Sequence, residues 1–359
     1  MIRASSLNKA FYKGKRVLVT GHTGFKGGWL TAILSELGAI SRGLALPPAP
    51  DSMFEKIGGR RLIDHIECDI RDGGAVAKAV YDFQPQIVIH LAAQAIVKDC
   101  FDDPDRAYST NVMGTINLLE AIRGCESVKS LLVVTTDKVY ENKGDGAVYV
   151  ETDPLGGADP YSASKTCMEI VTGSYRASYL QTGERTVGVA TVRASNVLAG
   201  GDYVQSRLIP SILAGFALGK PVELRNPYHT RPWQSVFDAM NGYLTIARKL
   251  YTKPSVFSEA WNIGPSIEGI RTVGEVFSIM RKYFVDALSY AEVGKYAVKE
   301  SLTLGLDIRK ALERLDWYPE QSLEKMLYDV VDYFKRQRAG EAELDICRSQ
   351  IREYFTFEG

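Results

Sequence analysis

Lys15-Arg16-Val17-Leu18-Val19-Thr20-Gly21-His22-Thr23-Gly24-Phe25-Lys26-Gly27-Gly28 is the stretch that decides the fold. Its first six residues read as a buried parallel strand, and an apolar helix is predicted over 29–37. Strand, glycine turn and helix in that order make a βα unit. Glycines three apart let the backbone turn tightly and approach a pyrophosphate, which the N–H groups and positive end of the helix then hold. A glycine pattern alone also serves ordinary tight βα turns, and it is the flanking strand and helix that favour the nucleotide reading.

Outward from that unit the alternation continues, with strands predicted at 40–46, 65–69, 87–91, 130–135 and 186–193 and helical stretches between them. Such alternation argues for an α/β fold: a doubly wound parallel sheet, Rossmann-like, with right-handed crossovers and helices on both faces. The order of the strands stays open at this level. The pattern breaks after Asn196 into a Gly-rich loop, a predicted helix over 207–218 and the segment Arg225-Asn226-Pro227-Tyr228-His229-Thr230-Arg231-Pro232-Trp233, whose basic and aromatic groups suit a sugar nucleotide. Residues 1–195 are therefore expected to form the dinucleotide-binding domain, with a strand and helix returning to it from about 236–264. Residues 196–359 are expected to be mainly a smaller α/β substrate-binding lobe.

Composition excludes several classes. The chain has 359 residues, 45% of them hydrophobic, and 43 basic residues balance 43 acidic ones. That is ample for a core, leaves no electrostatic footprint for nucleic acid or an anionic membrane, and offers no apolar run near the ~20 residues a span requires. The N-terminal stretch lacks the apolar segment of a signal peptide, and the five cysteines are scattered and odd in number. A cytoplasmic protein with reduced thiols is expected. No metal site is expected, because no C-x-x-C or paired-histidine spacing occurs and only four histidines are present.

The second informative stretch is Tyr161-Ser162-Ala163-Ser164-Lys165. A Tyr and a Lys four apart on a helix share one face, and a nearby ammonium stabilises the phenolate that a free phenol forms only near ~10. That pairing points to alcohol–ketone chemistry once it is joined to a nucleotide turn.

With these pieces the chain resembles the extended short-chain dehydrogenase/reductases, and among them the CDP-glucose 4,6-dehydratase group. The motifs that carry the resemblance span nearly the whole chain: Val19-Thr20-Gly21-His22-Thr23-Gly24-Phe25-Lys26-Gly27, Asp69-Ile70-Arg71-Asp72, His90-Leu91-Ala92-Ala93-Gln94, Thr110-Asn111-Val112-Met113-Gly114-Thr115, Thr136-Asp137-Lys138-Val139-Tyr140, Asp159-Pro160-Tyr161, Arg207-Leu208-Ile209-Pro210 and Arg231-Pro232-Trp233-Gln234. Thr136-Asp137-Lys138 is the part that argues dehydratase. The resemblance implies an NAD-dependent conversion of a nucleotide sugar, CDP-glucose first, to its 4-keto-6-deoxy derivative with loss of water, in deoxysugar biosynthesis for a bacterial surface polysaccharide.

In the implied mechanism Tyr161 takes the C4 hydroxyl proton, Thr136 hydrogen-bonds the C4 oxygen, Asp137 is the acid for C6 and Lys138 occupies the position of the C5 base. Implied cofactor contacts are Gly21, Thr23, Gly24, Phe25, Lys26, Gly27, Asp69, Ile70, Leu91, Ala92, Ala93, Gln94, Asn111, Tyr161 and Lys165. Implied substrate contacts are Gln94, Asn196, Arg207, Arg231 and Trp233. Plainer readings stand beside these: Asp137-Lys138 as a solvated ion pair, His22 and His90 as structural residues, Trp29 and Trp261 as core, Asp69 as an ordinary loop starter, and Arg207 and Arg231 as surface arginines.

Departures from the family pattern lie near the substrate: Ser195, Tyr203, Ser206 and Ser235. They leave another nucleotide base, or a related hexose or heptose, open. Ala45-Leu46-Pro47-Pro48 offers no acid for the adenosine ribose, so NAD is inferred from the resemblance. A sugar-nucleotide 4-epimerase is the alternative activity, and it needs neither a C6 acid nor a C5 base. A non-catalytic NAD-binding relative would be expected to lack Tyr161 or Lys165. Apolar residues at Val112, Ile116, Leu119, Met168 and Ile170, on helices predicted near 104–123 and 163–182, either pack on the parent sheet or offer a face for the homodimer or homotetramer that the family implies.

Overall fold

The structure, a computed structural model, describes residues 5–144, 146–182, 185–204, 207–224, 226–284, 289–292 and 305–358. Arg225 and Ser206, both singled out from the sequence, lie outside the described residues.

Seven strands form the central sheet: β1 Arg16–Thr20, β2 Ile40–Ala45, β3 Asp64–Glu67, β4 Ile87–His90, β5 Ser130–Val134, β6 Gly188–Ala194 and β7 Ala260–Ile263. Every pairing among them is parallel, and the order is β3-β2-β1-β4-β5-β6-β7. The order in which successive strands are laid down reverses between β1 and β4, which opens a crevice at the carboxyl ends of those strands. Strands β4, β5 and β6 are buried at every residue, as a sheet covered on both faces requires.

The pleat divides the core. Val17, Val19, Ile87, Ile89, Leu132 and Val192 face one layer with Trp29, Leu30 and Tyr243. Leu18, Val88, Leu131, Val133 and Val189 face the other with Val80, Leu118 and Met168. The first layer holds helices α1 Phe25–Glu36 and α6 Val236–Thr252; the second holds α2 Gly73–Phe83, α3 Gly114–Arg123 and α4 Pro160–Tyr175. The chain leaves the sheet after β6, builds α5 Leu208–Leu218 outside it, and returns through α6 to lay β7 against β6, Ala260 opposite Thr191. A separate apolar cluster, with Ile212, Trp233, Phe277 and Leu327, joins α5 to α7 Val273–Arg281 and α8 Leu323–Arg338. The last helix, α9 Glu343–Tyr354, packs on α1.

Three expectations need correction. Helix α1 starts at Phe25, inside the glycine motif, rather than at 29, because Gly27 lets the helix close onto the turn: a Cβ there would stand 2.4 Å from the Gly21 oxygen. The helix expected near 104–123 is interrupted by a π-turn at Ser109–Met113, and that near 163–182 begins at Pro160 and ends in a π-turn at Arg176–Leu180. Of the five residues assigned to a dimer face, Leu119 and Met168 are fully buried against the parent sheet, while Ile170 is 60% exposed and Val112 and Ile116 are half-buried. The apolar stripe continues into the core layer, so helical spacing alone assigned both sides of the helix to one face.

Trp29 and Trp261 are core, as read, their indole N–H groups donating to the Gly200 oxygen at 3.0 Å and the Phe257 oxygen at 3.1 Å.

Candidate active site

A cleft of about 990 Å³ opens along the carboxyl edge of the sheet, lined also by residues of 194–233. Its floor is the first βα turn. Gly21 has φ +74°, and a Cβ on it would come within 2.7 Å of the Ala92 nitrogen, so only glycine allows β1 and β4 to end so close together. Gly24 caps α1 without a side-chain hydrogen bond, and the first turn of that helix carries no acidic residue. Its amide end thus stays available to an anion, and Gly21, Thr23, Gly24, Phe25, Lys26 and Gly27 all line the cleft.

Beside this cradle Asp69 and Ile70 line the cleft after β3, and Leu91, Ala92, Ala93 and Gln94 line it after β4. Asp69 accepts from Arg71 Nη2 at 2.6 Å and from the Arg71 amide at 2.9 Å, and the Arg71 contact holds its carboxyl below the usual range. Asn111 differs from its expected place. It is fully buried and lies behind the wall, where Oδ1 accepts from the Gln94 amide at 2.7 Å and Nδ2 donates to the Gln94 oxygen at 3.2 Å and Ser164 Oγ at 2.8 Å. It shapes the β4 loop and does not line the cleft. This pocket fits a dinucleotide: a cradle closed to side chains, an uncapped helix terminus and a β3-end carboxylate.

Tyr161 and Lys165 are presented by α4, whose start is set by Asp159 accepting from the Ser162 amide at 2.9 Å and by Pro160 in the first turn. Both line the cleft with Thr136 and Lys138. Their electrostatics differ from the expectation. Burial pushes the Tyr161 phenol up to about 12, against a hydrogen bond with Thr136. Burial, and then Lys26, lower Lys165 to about 7, and its ammonium donates to the Val134 oxygen at 3.1 Å. The strand-end carbonyl holds the lysine, and desolvation dominates the phenol.

Asp137 is 2% exposed, which removes the solvated-ion-pair reading. It sits in the short turn Asp137–Val139 behind Thr136, whose hydroxyl donates to Oδ1 at 3.0 Å, and it is not among the cleft-lining residues. Burial raises its carboxyl, against the pull of Lys138, Thr136, Lys26 and Arg231. A carboxyl held up in this way keeps its proton to higher pH and can act as an acid.

Across the cleft Asn196, Arg207, Arg231 and Trp233 line the opposite wall. Asp202 was missed. It lines the same wall and pairs with Arg207 at 3.0 Å, a partnership only a folded loop reveals. Lys26 lines the cleft beside the glycine cradle, and its ammonium also reaches Tyr243 Oη at 3.4 Å; burial, then Arg207, lower it to about 8, against the pull of Asp137.

His22 and His90 are buried and held by other side chains, as expected of structural residues. His90 lies between Thr20 Oγ1 at 2.6 Å and Thr115 Oγ1 at 3.0 Å, and burial lowers it to about 3. His22 Nε2 meets His65 Nδ1 at 2.6 Å, and burial followed by His65 lowers it to about 4.

Comparison with known proteins agrees with this geometry. The model of the NAD-dependent epimerase/dehydratase family matches residues 17–264. CDP-glucose 4,6-dehydratase of Salmonella typhimurium strain LT2 is 40% identical over 354 residues, covering 98% of this chain and 99% of that protein. dTDP-glucose 4,6-dehydratase of Xanthomonas campestris pv. campestris is 27% identical, covering 88% and 92%. Among solved structures, dTDP-glucose 4,6-dehydratase from Bacillus anthracis strain Ames in complex with NAD superposes with a TM-score of 0.76 at 21% identity, covering 92% of this chain and all of that one (100%). The chain belongs to the NAD-dependent epimerase/dehydratase family, and NAD is its cofactor.

Proposed function

We propose that this member of the NAD-dependent epimerase/dehydratase family is a nucleotide-sugar 4,6-dehydratase acting on CDP-glucose. The observation that carries the reading is Asp137: an acid group buried directly behind Thr136, with its proton affinity raised, next in sequence to Thr136 and Lys138, which line the cleft with Tyr161. A 4-epimerase would have no use for it. The relative at 40% identity over nearly the full length supports the choice of CDP-glucose.

The roles follow from chemistry. Bound NAD supplies the hydride acceptor for C4 and, after elimination, the donor of that hydride to C6. Tyr161 accepts the C4 hydroxyl proton, and Thr136, already hydrogen-bonded to the phenol, aligns the C4 oxygen. The C4 ketone makes the C5 proton acidic. Lys138 removes that proton, the C6–oxygen bond breaks as the C5–C6 double bond forms, and Asp137 gives its proton to the departing oxygen, releasing water. Hydride at C6 and a proton at C5 complete a 4-keto-6-deoxy sugar with no net redox change. Gly21 to Gly27 hold the pyrophosphate of NAD, Asp69 and Ile70 its adenosine end, and Lys165 its nicotinamide ribose. Arg207 and Arg231 take the substrate diphosphate, with Trp233, Asn196 and Gln94 beside it. The protein works in the cytoplasm as a homodimer and feeds deoxysugar to a bacterial surface polysaccharide such as the lipopolysaccharide O-antigen.

The test is mass spectrometry after incubation with a panel of nucleoside-diphosphate sugars. Loss of one water from CDP-glucose alone is the expected result. Inversion at C4 without a change in mass would replace the dehydratase by an epimerase.

A further inference from the structure

We infer that Glu169 and Arg193 form a buried pair that holds the Thr136-Asp137-Lys138 turn in register with the Tyr161 helix, which makes them positioning residues for the dehydration. The inference rests on the dehydratase reading above. Tyr161, Lys165 and Glu169 follow one another at four-residue spacing on α4, so all three project from one side of the helix. Glu169 and Arg193 are each 4% exposed at the side chain, with Oε2 3.1 Å from Nη2.

What the pair holds is the turn. Oε1 of Glu169 accepts from Thr135 Oγ1 at 2.5 Å, and Oε2 accepts from Thr191 Oγ1 at 2.6 Å. Nη1 of Arg193 donates to Tyr140 Oη at 2.8 Å and to the Glu151 oxygen at 3.0 Å. Thr135 is the residue before Thr136, and Tyr140 follows the turn that ends at Val139. The acid therefore grips one end of the catalytic turn and the base grips the other. Two further bonds tie the same parts: Thr166 Oγ1 on α4 donates to the Val139 oxygen at 3.2 Å, and Tyr140 Oη donates to Asn262 Oδ1 on β7 at 2.6 Å.

Stability gives weak reason for such a pair, because apolar residues of similar volume usually serve a core as well as a buried ion pair does. Its distinctive service is geometric. Proton transfers by Tyr161, Asp137 and Lys138 to neighbouring atoms of one sugar require the turn and the helix to stay in fixed relation, and small misplacements there are costly in rate. The Thr135 hydroxyl also reaches the Val192 oxygen at 3.2 Å and the Tyr140 hydroxyl donates to Asn262, but only the pair ties both ends of the turn to α4 and β6 together.

The experiment compares Thr135→Val, which deletes the hydroxyl's contacts with Glu169 and the Val192 oxygen and leaves the pair, with Thr135→Ser, which restores them, and with Glu169→Gln. The readouts are kcat and KM with CDP-glucose, NAD affinity, C5 exchange in deuterated water and absorbance of the reduced cofactor. Thr135→Val and Glu169→Gln should each lower kcat by roughly 10-fold or more while KM and NAD affinity stay within about twofold. C5 exchange should slow, reduced cofactor should persist, and Thr135→Ser should recover most of the loss. Wild-type kcat and exchange in Thr135→Val, with only the melting temperature lowered, would overturn the positioning role, and this result decides the matter even if Glu169→Gln fails to fold. Wild-type enzyme that inverts C4 without losing water sinks the dehydratase reading instead, and the kcat ratio of Thr135→Val to Thr135→Ser then still decides the positioning role.

Discussion

In the proposed mechanism Tyr161 and Asp137 carry opposite duties, and the protein treats them differently. The phenol lines the cleft beside Thr136 and is pushed up to about 12, so it takes a proton only when positive charge is brought close to it. Tyr161→Phe should lower turnover about 10²–10⁴-fold while NAD affinity stays near wild type, measured by steady-state rates and cofactor titration. Asp137 lies behind the wall, where burial raises its affinity for a proton. Asp137→Asn should still oxidise C4 and then stall, seen as lasting reduced-cofactor absorbance after CDP-glucose is added, with little product. Normal dehydration by that variant would remove Asp137 from the mechanism. The positions of these residues were legible in the motifs; their burial and electrostatics were not. The Lys165 ammonium uses one donor on the Val134 oxygen, a partner that the motif does not reveal.

At the scale of elements, the first βα turn was legible almost completely, because its geometry is a local steric matter. Only the start of α1 was misplaced, where the close contact of Gly27 with Gly21 draws the helix into the motif. Gly21→Ala tests that turn. A Cβ at φ +74° and 2.7 Å from the Ala92 nitrogen meets backbone and has no room to relax, so NAD binding should be lost or reduced well beyond 10-fold, on the order of the strain that outlying backbone stores. Calorimetric titration with NAD measures it, and wild-type affinity would contradict the role given to the turn. The π-turns at Ser109–Met113 and Arg176–Leu180 left no sign in the apolar periodicity, since one extra residue per turn shifts the stripe without erasing it.

At the scale of the molecule, buried histidines link stability to pH. His90 and His22 are held neutral down to about 3 and about 4, against an ordinary value of 6.5. Below 6.5 the unfolded chain therefore binds more protons than the folded one. Their contribution is present above that pH and is lost as pH falls, by about 1.4 kcal/mol per pH unit for each ring charged only when unfolded. Denaturant midpoints should drop between about pH 6.5 and about pH 4.5, and His90→Gln should flatten that slope; an unchanged slope would refute the linkage. Assembly is tested by light scattering. Ile170 and Met113 are 60% and 51% exposed on α4 and the adjoining π-turn, and a dimer at micromolar concentration is expected. A monomer would refute the second-copy reading of that face.

Several features followed from the order of residues alone: the βα unit, the alternation of strand and helix, the motif positions of Tyr161, Lys165 and Thr136-Asp137-Lys138, and the structural status of His22 and His90. All rest on short-range sterics, helical spacing or motif, which neighbours in sequence define. Tertiary structure decided the rest. It set the strand order β3-β2-β1-β4-β5-β6-β7, the burial of Leu119 and Met168, the place of Asn111 behind Gln94, the reach of Lys26 toward Tyr243 and the pairing of Asp202 with Arg207. Each of these depends on which distant segments exclude water from a group or supply its partner, and desolvation and pairing between distant segments exist only once the chain has folded.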